Sequence, residues 1–313
     1  MKRTKDGRIC EKRIKIEAKF KNFILVQYKS ISNLTWKQIA ENFNVSEYTL
    51  YHDWRKENTT LPLSIFLIII KSLNINLDNI KNKIQIVNPY WGQIVSKTFK
   101  IPNVRTVLFA EFYGILLGDG CVYSNLSGFC ISGNSVLDRD YIEYYVANLI
   151  FSLFGLKPNI YLSKKCKSIR CVLYSKAISK FLINYGFPVG KKKFGKPVIP
   201  KMFFSNPDML KFCIRGINDT DGSVYPQSNS KIILDISIFS PCLLSSTITA
   251  FNKLNFKINY TSNRIYLCGA KSVSSFFDLI GSSNPRQLIK YSHFLSNGFV
   301  PDTIQTERFL KHK

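Results

Sequence analysis

Two short segments of the chain end in the same dipeptide, an aspartate followed by a glycine. Residues 112–120 read FYGILLGDG and residues 214–222 read IRGINDTDG, so Asp119 and Asp221 are 102 positions apart (221 − 119). Two carboxylates held close together repel each other, and a divalent cation with hard oxygen ligands relieves that repulsion. Such a cation can activate water for the hydrolysis of a phosphodiester. The two segments therefore indicate metal-dependent chemistry on a polyanion, provided that the fold brings the aspartates together.

Small residues precede each aspartate and suit the close packing of two helices. Gly114 and Gly118 are four positions apart in the first segment, as are Gly216 and Thr220 in the second. This spacing puts each pair on one helix face, where small side chains let the two helices approach. We expect the two helix ends to meet at a seam between two copies of one unit. The glycine after each aspartate is expected to adopt a positive φ and turn the chain away.

The charge balance predicts a polyanionic partner. The chain carries 44 Lys+Arg against 20 Asp+Glu, a net charge of +24. An excess of this size favours nucleic acid or an anionic membrane surface, although an AT-rich genome would also enrich lysine. The longest apolar run, residues 61–70, is far shorter than the roughly 20 residues that span a bilayer, and the first residues do not read as a signal peptide. We expect double-stranded DNA as the partner, no membrane, and a soluble cytoplasmic protein.

The cysteines do not predict a zinc site. Eight are scattered through the chain without a C-x-x-C pair, and only three histidines accompany them. A structural zinc site needs four converging ligands at short spacing. Free thiols that pack as small apolar residues are the expected state.

Residues 34–54 predict two short helices joined by a tight turn. Thr35 and Ser46 are good helix N-caps, and Asn44 lies at the expected turn. The pattern resembles the helix-turn-helix domains of phage-repressor type, in which the second helix enters the major groove. The resemblance implies DNA contacts by five residues around the exposed face of the second helix: Glu47, Tyr48, Thr49, Tyr51 and His52. A small helical bundle without a role in DNA binding is the alternative, since acidic residues make this helix less basic than expected.

The elements after each Asp-Gly dipeptide are predicted to follow the same order. A hairpin, a helix, two strands and a helix fit residues 121–185 and again residues 223–280. The predicted fold class is α+β: a pseudo-twofold duplicated αββαββα domain with two saddle-forming antiparallel sheets, preceded by a small all-α helix-turn-helix domain. The expected boundaries are residues 1–80 for a charged arm and the helix-turn-helix domain, 81–108 for a basic linker, 109–200 and 201–300 for the repeats, and 301–313 for a tail.

The paired segments resemble the two motifs of single-chain LAGLIDADG homing endonucleases. Residues 112–120 are close to the first motif, residues 211–222 to the second, and residues 185–200 look like the segment between them. The resemblance covers roughly residues 105 to 300 and implies double-strand DNA cleavage with Mg²⁺ or Mn²⁺, one strand per aspartate. It makes Asp119 and Asp221 the catalytic and metal-binding residues.

Further site residues come from the same resemblance. Gly118 and Thr220 join the two aspartates in the candidate metal site, and Lys192 occupies the position of a catalytic lysine, although Lys191 or Lys193 could serve. In the second copy the choice between Arg286 and Lys290 stays open. Asp219 corresponds to Leu117 of the first copy, so we expect it to be structural rather than a symmetric metal ligand.

The strands of the two copies supply candidate DNA contacts. A concave face of paired sheets can present side chains to the major groove, but a shift of one residue in register would reverse the face. The candidates are polar, aromatic or basic residues of the hairpins and turns: Tyr123, Asn125, Lys164, Lys165, Lys167, Arg170, Tyr225, Gln227, Asn229 and Lys231.

The predicted function is that of a monomeric, site-specific DNA endonuclease with internal pseudo-twofold symmetry. Neither end of the chain resembles a protein-splicing junction, so we expect a free-standing protein. Two alternatives stay open: a DNA-binding regulator that does not cleave, and an RNA maturase that assists intron splicing.

Overall fold

The computed structural model describes residues 13–57, 59–80, 84–87, 99–163, 165–190, 196–228 and 231–311, without the side chains of residues 78, 85–87, 227 and 228. The chain divides into two units, the first formed by residues up to Pro102 together with Phe154–Leu156 and the second by the remainder. No helix in these ranges is long and apolar enough to cross a membrane.

The first unit combines helices with a small antiparallel sheet. Its helical elements are α1 (Ala18–Ser32), α2 (Trp36–Asn42), a π-helical turn (Thr49–Asp53), α3 (Leu63–Ser72) and α4 (Leu77–Ile80). Its strands are β1 (Arg13–Ile16), β2 (Leu61–Pro62), β3 (Ile84–Val87) and β4 (Phe99–Lys100), in the order β2-β1-β3-β4. The prediction of an all-α domain is therefore wrong. Ile14 and Ile16 are buried on one face of β1, but the intervening Arg13 and Lys15 made the segment read as a charged arm.

The helix caps predicted at Thr35 and Ser46, and the chain reversal predicted at Asn44, are present in the structure. Thr35 and Gln38 form a capping box at the start of α2. Asn44 has a φ of 53°, and the Ser46 hydroxyl accepts the Thr49 amide at 3.0 Å. The Trp54 amide donates to the Thr49 carbonyl five residues earlier, at 2.9 Å, which defines the π-helical turn. Contact between the π-helical turn and DNA stays a prediction.

Residues 107–279 contain two copies of one topology. The first copy comprises α5 (Val107–Asp119), β5 (Gly120–Val122), β6 (Phe129–Asn134), a π-helical turn (Tyr141–Val146) that leads into α6 (Ala147–Phe154), β7 (Asn159–Ser163), β8 (Ser168–Leu173) and α7 (Lys176–Asn184). The second comprises α8 (Pro207–Asp221), β9 (Gly222–Ser228), β10 (Lys231–Ser237), α9 (Pro241–Lys253), β11 (Asn259–Tyr260), β12 (Arg264–Cys268) and α10 (Ala270–Leu279). The sheet orders, β5-β6-β8-β7 and β9-β10-β12-β11, are equivalent. The duplicated α+β fold is thereby confirmed.

Two helices follow the second copy and were not predicted. They are α11 (Pro285–Asn297) and α12 (Thr303–Lys311), the latter within the residues expected to form a tail. The side chain of Asn284 caps α11 by accepting the Arg286 amide at 3.0 Å, and Pro285 occupies the first turn. An N-cap residue followed by proline is a start signal that the sequence did contain.

Candidate functional site

Helices α5 and α8 pack so closely that their backbones touch. A Cβ atom on Gly114 would overlap the carbonyl group of Cys213, and one on Gly216 would overlap the carbonyl oxygen of Glu111 and the amide nitrogen of Ile115. Any larger residue at either glycine would push the helices apart. The small residues at these positions therefore lie directly at the helix interface.

The same packing brings the carboxyl ends of the two helices together. A Cβ on Gly118 would overlap the Thr220 side chain and would lie 3.4 Å from Oδ2 of Asp221. Gly118 directly precedes Asp119, so Asp119 and Asp221 emerge from neighbouring helix ends, and both are half-buried. The Thr220 hydroxyl donates to the carbonyls of Gly216 and Ile217, each at 3.0 Å, so this side chain is turned back into its own helix.

The glycine after each aspartate does not have the backbone conformation that we expected. Gly120 has φ −87° and ψ 157°, and Gly222 has φ −89° and ψ 157°, so both are extended and each strand begins without a left-handed turn. A Cβ on Gly120 would overlap Leu116, and one on Gly222 would overlap Asn218. Glycine is required here because the chain passes close to the preceding helical turn.

An open cleft of about 460 Å³ lies beside Asp221. Its lining combines the two helix ends with the segment between β10 and α9: Leu117, Gly118, Asp221, Ser237, Ile238, Phe239, Ser240 and Leu243. Phe239 is 81% exposed, the highest fraction among the large apolar side chains of the described residues. Sequence reasoning missed Phe239, since a single phenylalanine after a strand reads as a core residue.

The donor set at the helix ends suits a hard divalent cation. The described residues hold no group of three or more His, Cys, Asp or Glu side chains that could enclose a metal. Mg²⁺ keeps several of its waters and is commonly bound by only one or two carboxylates. Asp119 and Asp221 therefore fit Mg²⁺ or Mn²⁺, and do not fit a closed zinc site.

A buried ion pair crosses the seam behind the helix ends. Arg215 of α8 donates to both oxygens of Glu111 of α5, at 3.0 and 2.9 Å, and Glu111 is fully buried. The hydroxyls of Tyr145 and Ser283 each donate to Oε1 of Glu111 at 2.8 Å. Because a buried carboxylate needs such partners, this network fixes the relative position of the helices. Sequence reasoning missed it, as its members are scattered over 172 residues.

Asp219 is a buried structural residue, as expected. It accepts hydrogen bonds from the Ser282 hydroxyl and from the Ser283 amide, the latter at 2.8 Å. Burial raises the pKa of this carboxyl to about 7, although the two hydrogen bonds oppose that rise. Asp219 thus connects α8 to the segment that leads into α11.

The two cations that the sequence left open for the second copy both have protein partners. Arg286 pairs with Asp138 at 3.4 Å, and its terminal nitrogen lies 3.5 Å from the Gly222 carbonyl. The Lys290 ammonium donates to the Val224 carbonyl at 3.1 Å. Burial, and then the nearby Arg286, lower the pKa of Lys290.

The candidate DNA contacts of the first copy have different surroundings. Arg170 is exposed on β8, directly opposite Ser132 and Tyr161 of the neighbouring strands. The Tyr123 ring stacks on Tyr174 with centroids 6.4 Å apart.

The remaining described candidates of this copy lie in turns. Asn125 is exposed, and its side-chain oxygen accepts the Ser127 amide at 3.0 Å, which is a turn role. Lys165 and Lys167 are exposed in the turn between β7 and β8.

In the second copy the sheet carries two predicted residues, Tyr225 and Lys231, and one that sequence analysis missed, Arg264. Tyr225 lies half-buried on β9 opposite Ile233, and Lys231 is exposed at the start of β10. Arg264 of β12 donates to Asp235 of β10 at 2.8 Å, which holds the guanidinium on the exposed face of the sheet. Along β12, Ile265 and Leu267 are buried and alternate with more exposed residues. This alternation is the sequence signal that could have placed Arg264 on the opposite, exposed face.

Lys164, Lys191, Lys192, Lys193 and Asn229 lie outside the described residues, and the side chain of Gln227 on β9 is likewise outside them.

The aromatic residues of the first unit's π-helical turn are exposed. Tyr48 is 61% and Tyr51 41% exposed, and the His52 ring contacts both of them, with centroids 4.8 and 5.0 Å apart. Glu47 is also exposed, whereas the backbone amide of Thr49 is used in the Ser46 cap. Tyr48, Tyr51 and His52 therefore form one exposed aromatic surface of the first unit.

No protein-family model matches the chain. Among curated proteins, the chain is similar to a component of the A-type ATP synthase of Pyrococcus abyssi. The two share 26% identity over 136 residues, which is 44% of this chain but 12% of that protein. The chain thus matches only a small part of that relative's length.

The chain is also similar to parts of several solved structures. Full-length WhiA from Thermatoga maritima has a TM-score of 0.41 and 16% identity, over 66% of each chain. I-DmoI in complex with DNA and Mn has a TM-score of 0.39 and 17% identity, over 56% of this chain and 97% of that one. The homing endonuclease I-WcaI bound to its recognition sequence has a TM-score of 0.38 and 15% identity, over 59% and 85%.

Proposed function

We propose that this protein is a metal-dependent, site-specific DNA endonuclease with one catalytic aspartate in each repeat. The observation that carries the proposal is the meeting of two equivalent helix ends. Asp221 places a carboxylate oxygen 3.4 Å from the Cβ position of Gly118, the residue before Asp119. Two carboxylates at adjacent helix carboxyl ends are unfavourable with each other and with the helix dipoles, and a divalent cation compensates both effects.

The surroundings of the pair suit a polyanionic substrate. The net charge of +24 attracts DNA from a distance, and the cleft beside Asp221 is open to solvent. The exposed faces of the two sheets carry Arg170 and Arg264, which can contact bases or phosphates. Phe239, largely exposed in the same cleft, would pack against the bound duplex.

The proposed mechanism assigns binding and orientation to the protein. Asp119 and Asp221 would hold Mg²⁺ or Mn²⁺, which supplies Lewis-acid stabilisation and an activated water when bound. The closely packed helices would hold both carboxylates at the seam, so that each could face one scissile phosphate. Lys192 is proposed as the basic group of the first copy. Because Arg286 and Lys290 both bind protein acceptors, neither is assigned as its counterpart.

The first unit is proposed to extend the contact with DNA. Its exposed Tyr48, Tyr51 and His52 would contact the duplex beyond the cleavage site. A second contact tethered to the first raises the overall affinity through effective concentration.

A cleavage assay on a library of random DNA duplexes tests the proposal. With Mg²⁺ we expect double-strand cuts at one long site, and the double variant Asp119→Asn/Asp221→Asn should bind that site in Ca²⁺ without cutting it in Mg²⁺. Binding of a defined site without any nicking in Mg²⁺ or Mn²⁺ would instead identify a regulator that does not cleave. Selective binding of RNA would favour the maturase alternative.

A further inference from the structure

Helix α11 contacts the first residues of the strand that follows Asp221. The buried Gln287 side chain donates from Nε2 to the carbonyl of Gly222. The Lys290 ammonium donates to the carbonyl of Val224 at 3.1 Å. We call Gln287 and Lys290 the α11 clamp. Both acceptors lie within three residues of Asp221.

The segment before α11 is also bound to the residue two positions before Asp221. Asp219 accepts the Ser283 amide at 2.8 Å, and the Asn284 side-chain amide donates to the Asp219 carbonyl at 2.9 Å. Asn284 is fully buried. The chain is therefore held on both sides of Asp221 by one continuous segment.

Helix α11 is itself fixed to the second copy. The Tyr291 ring stacks on Phe277 of α10 with centroids 3.9 Å apart and an angle of 4° between the planes. The clamp residues thus project from a helix whose position is set by packing. Hydrogen bonds from a fixed support restrict the backbone that they bind.

The first copy holds the equivalent strand differently. Val122 follows Asp119 at the same spacing as Val224 follows Asp221, and its carbonyl accepts the backbone amide of Gly190 at 2.8 Å. Val189 forms a parallel bridge with Val122 beside that bond. This support comes from the segment that connects the two repeats, where Val189 and Gly190 belong to no helix.

We infer that α11 is a positioning element for Asp221, and that Gln287 and Lys290 hold this aspartate more rigidly than Asp119 is held. The inference rests on the proposed endonuclease function for its enzymatic consequence, which is unequal cutting of the two strands. A carboxylate held in its productive orientation supports faster cleavage, because small displacements of a group that positions the reaction are costly. The strand served by Asp221 should therefore be cut first.

Amide hydrogen exchange on the full chain without DNA tests the positioning directly. Gln287→Ala and Lys290→Met should speed exchange in peptides that cover residues 219–226 by about 10-fold, because the strand loses its side-chain donors. Exchange in residues 117–122 should stay unchanged. Leu288→Ala, an exposed change on the same helix, is the matched control. Unchanged exchange at residues 219–226 in both clamp variants would overturn the inference.

Strand-resolved cleavage kinetics test the enzymatic consequence. Wild type should nick one strand before the other, and Lys290→Met should lower the single-turnover rate of the first-cut strand about 10-fold at saturating enzyme. Lys290→Arg, which keeps a donor for Val224, should restore that rate. Equal slowing of both strands would overturn the inference. If wild type cuts no DNA, the endonuclease proposal fails, and hydrogen exchange alone decides the positioning role.

Discussion

The two repeats share a topology but differ in the chemistry of the helices that meet at the seam. Helix α5 buries an almost wholly apolar sequence with Glu111 as its buried charge, whereas α8 carries Arg215, Asn218 and Asp219. The shared features are the small residues at the interface and the Asp-Gly junction. The duplicated architecture thus requires the small interface residues and the Asp-Gly junction, whereas the polarity of the remaining helix positions differs between the copies.

Polar residues of the second copy also stabilise a buried carboxylate of the first copy, Glu111. Glu111 would lose its charge partner and one of its hydroxyl donors without Arg215 and Ser283, both from the second half of the chain. Breaking such a pair by removing one partner typically costs about 3–5 kcal/mol. The two copies are therefore energetically dependent on each other, although each forms its own sheet.

The largest effect is expected from the two aspartates themselves. Asp119→Asn and Asp221→Asn should each reduce double-strand cleavage by about 10³-fold or more, because each would remove a proposed metal-binding carboxylate while leaving the fold intact. Binding to the target in Ca²⁺ should change little. Cleavage assays and gel-shift titrations measure the two quantities. A single variant that still makes double-strand breaks at the wild-type rate would contradict the proposal that each aspartate serves one DNA strand.

A substitution at the seam should affect both copies together. Gly216→Val would force a side chain into the backbone of α5 and should lower the free energy of unfolding by about 3 kcal/mol, as overpacking does. Urea unfolding measures the loss. Leu108→Ala, at an exposed position of α5, is the control and should cost little. If Gly216→Val retained wild-type stability, the backbone contact at the seam would be wrong.

The pH dependence of stability should distinguish the copies through Asp219. Burial raises the pKa of Asp219 to about 7 from an ordinary 3.8, so the native protein retains this proton at pH values where the unfolded chain has lost it. Its contribution to stability is present below about pH 4 and is lost as the pH rises to 7.

Asp219→Asn should flatten that dependence by on the order of 3 kcal/mol between pH 4 and 7. Urea unfolding at several pH values measures the change. Leu108→Ala, an exposed change on α5 that removes no titratable group, should leave the dependence as in wild type. An unaltered pH dependence in Asp219→Asn would assign the titration to another group.

The smallest effect is expected in the first unit. Tyr48→Ala and Tyr51→Ala should weaken DNA binding by about 10-fold or less, since each removes one exposed contact, and should leave the cutting rate at saturating enzyme unchanged. Fluorescence anisotropy with labelled target DNA measures the affinity. Phe23→Ala, an exposed change on α1, is the control. Equal affinities for all three variants and wild type would remove this surface from the interface.

The sequence predicted the topology because the repeated landmarks are local. The Asp-Gly dipeptides, and the alternation of apolar and polar residues along each strand, involve only neighbouring residues. They can therefore be recognised without knowledge of the tertiary structure. The partners of Glu111 are distant in sequence and could not be paired from the chain alone. Strand β1 was missed because charged residues alternate with its two isoleucines, and α11 was missed although Asn284 and Pro285 mark its start.

The extended glycines show a different kind of failure. The sequence identified Gly120 and Gly222 as special, but the reason that it suggested, a positive φ, was wrong. Their requirement is the space taken by Leu116 and Asn218, which only the packed structure shows. A glycine in a sequence thus marks a constraint without saying whether it is conformational or steric.

Each of the paired aspartates ends a helix, and the very next residue starts a strand. With no loop between them, a rotation of the helix is transmitted as a tilt of the sheet that would read DNA. Within a repeat, the sheet proposed to contact DNA and the aspartate proposed to hold the metal would therefore move together. If the proposed endonuclease function holds, changing its target would require the exchange of whole repeats, because grafting strands alone would shift the carboxylate at their base.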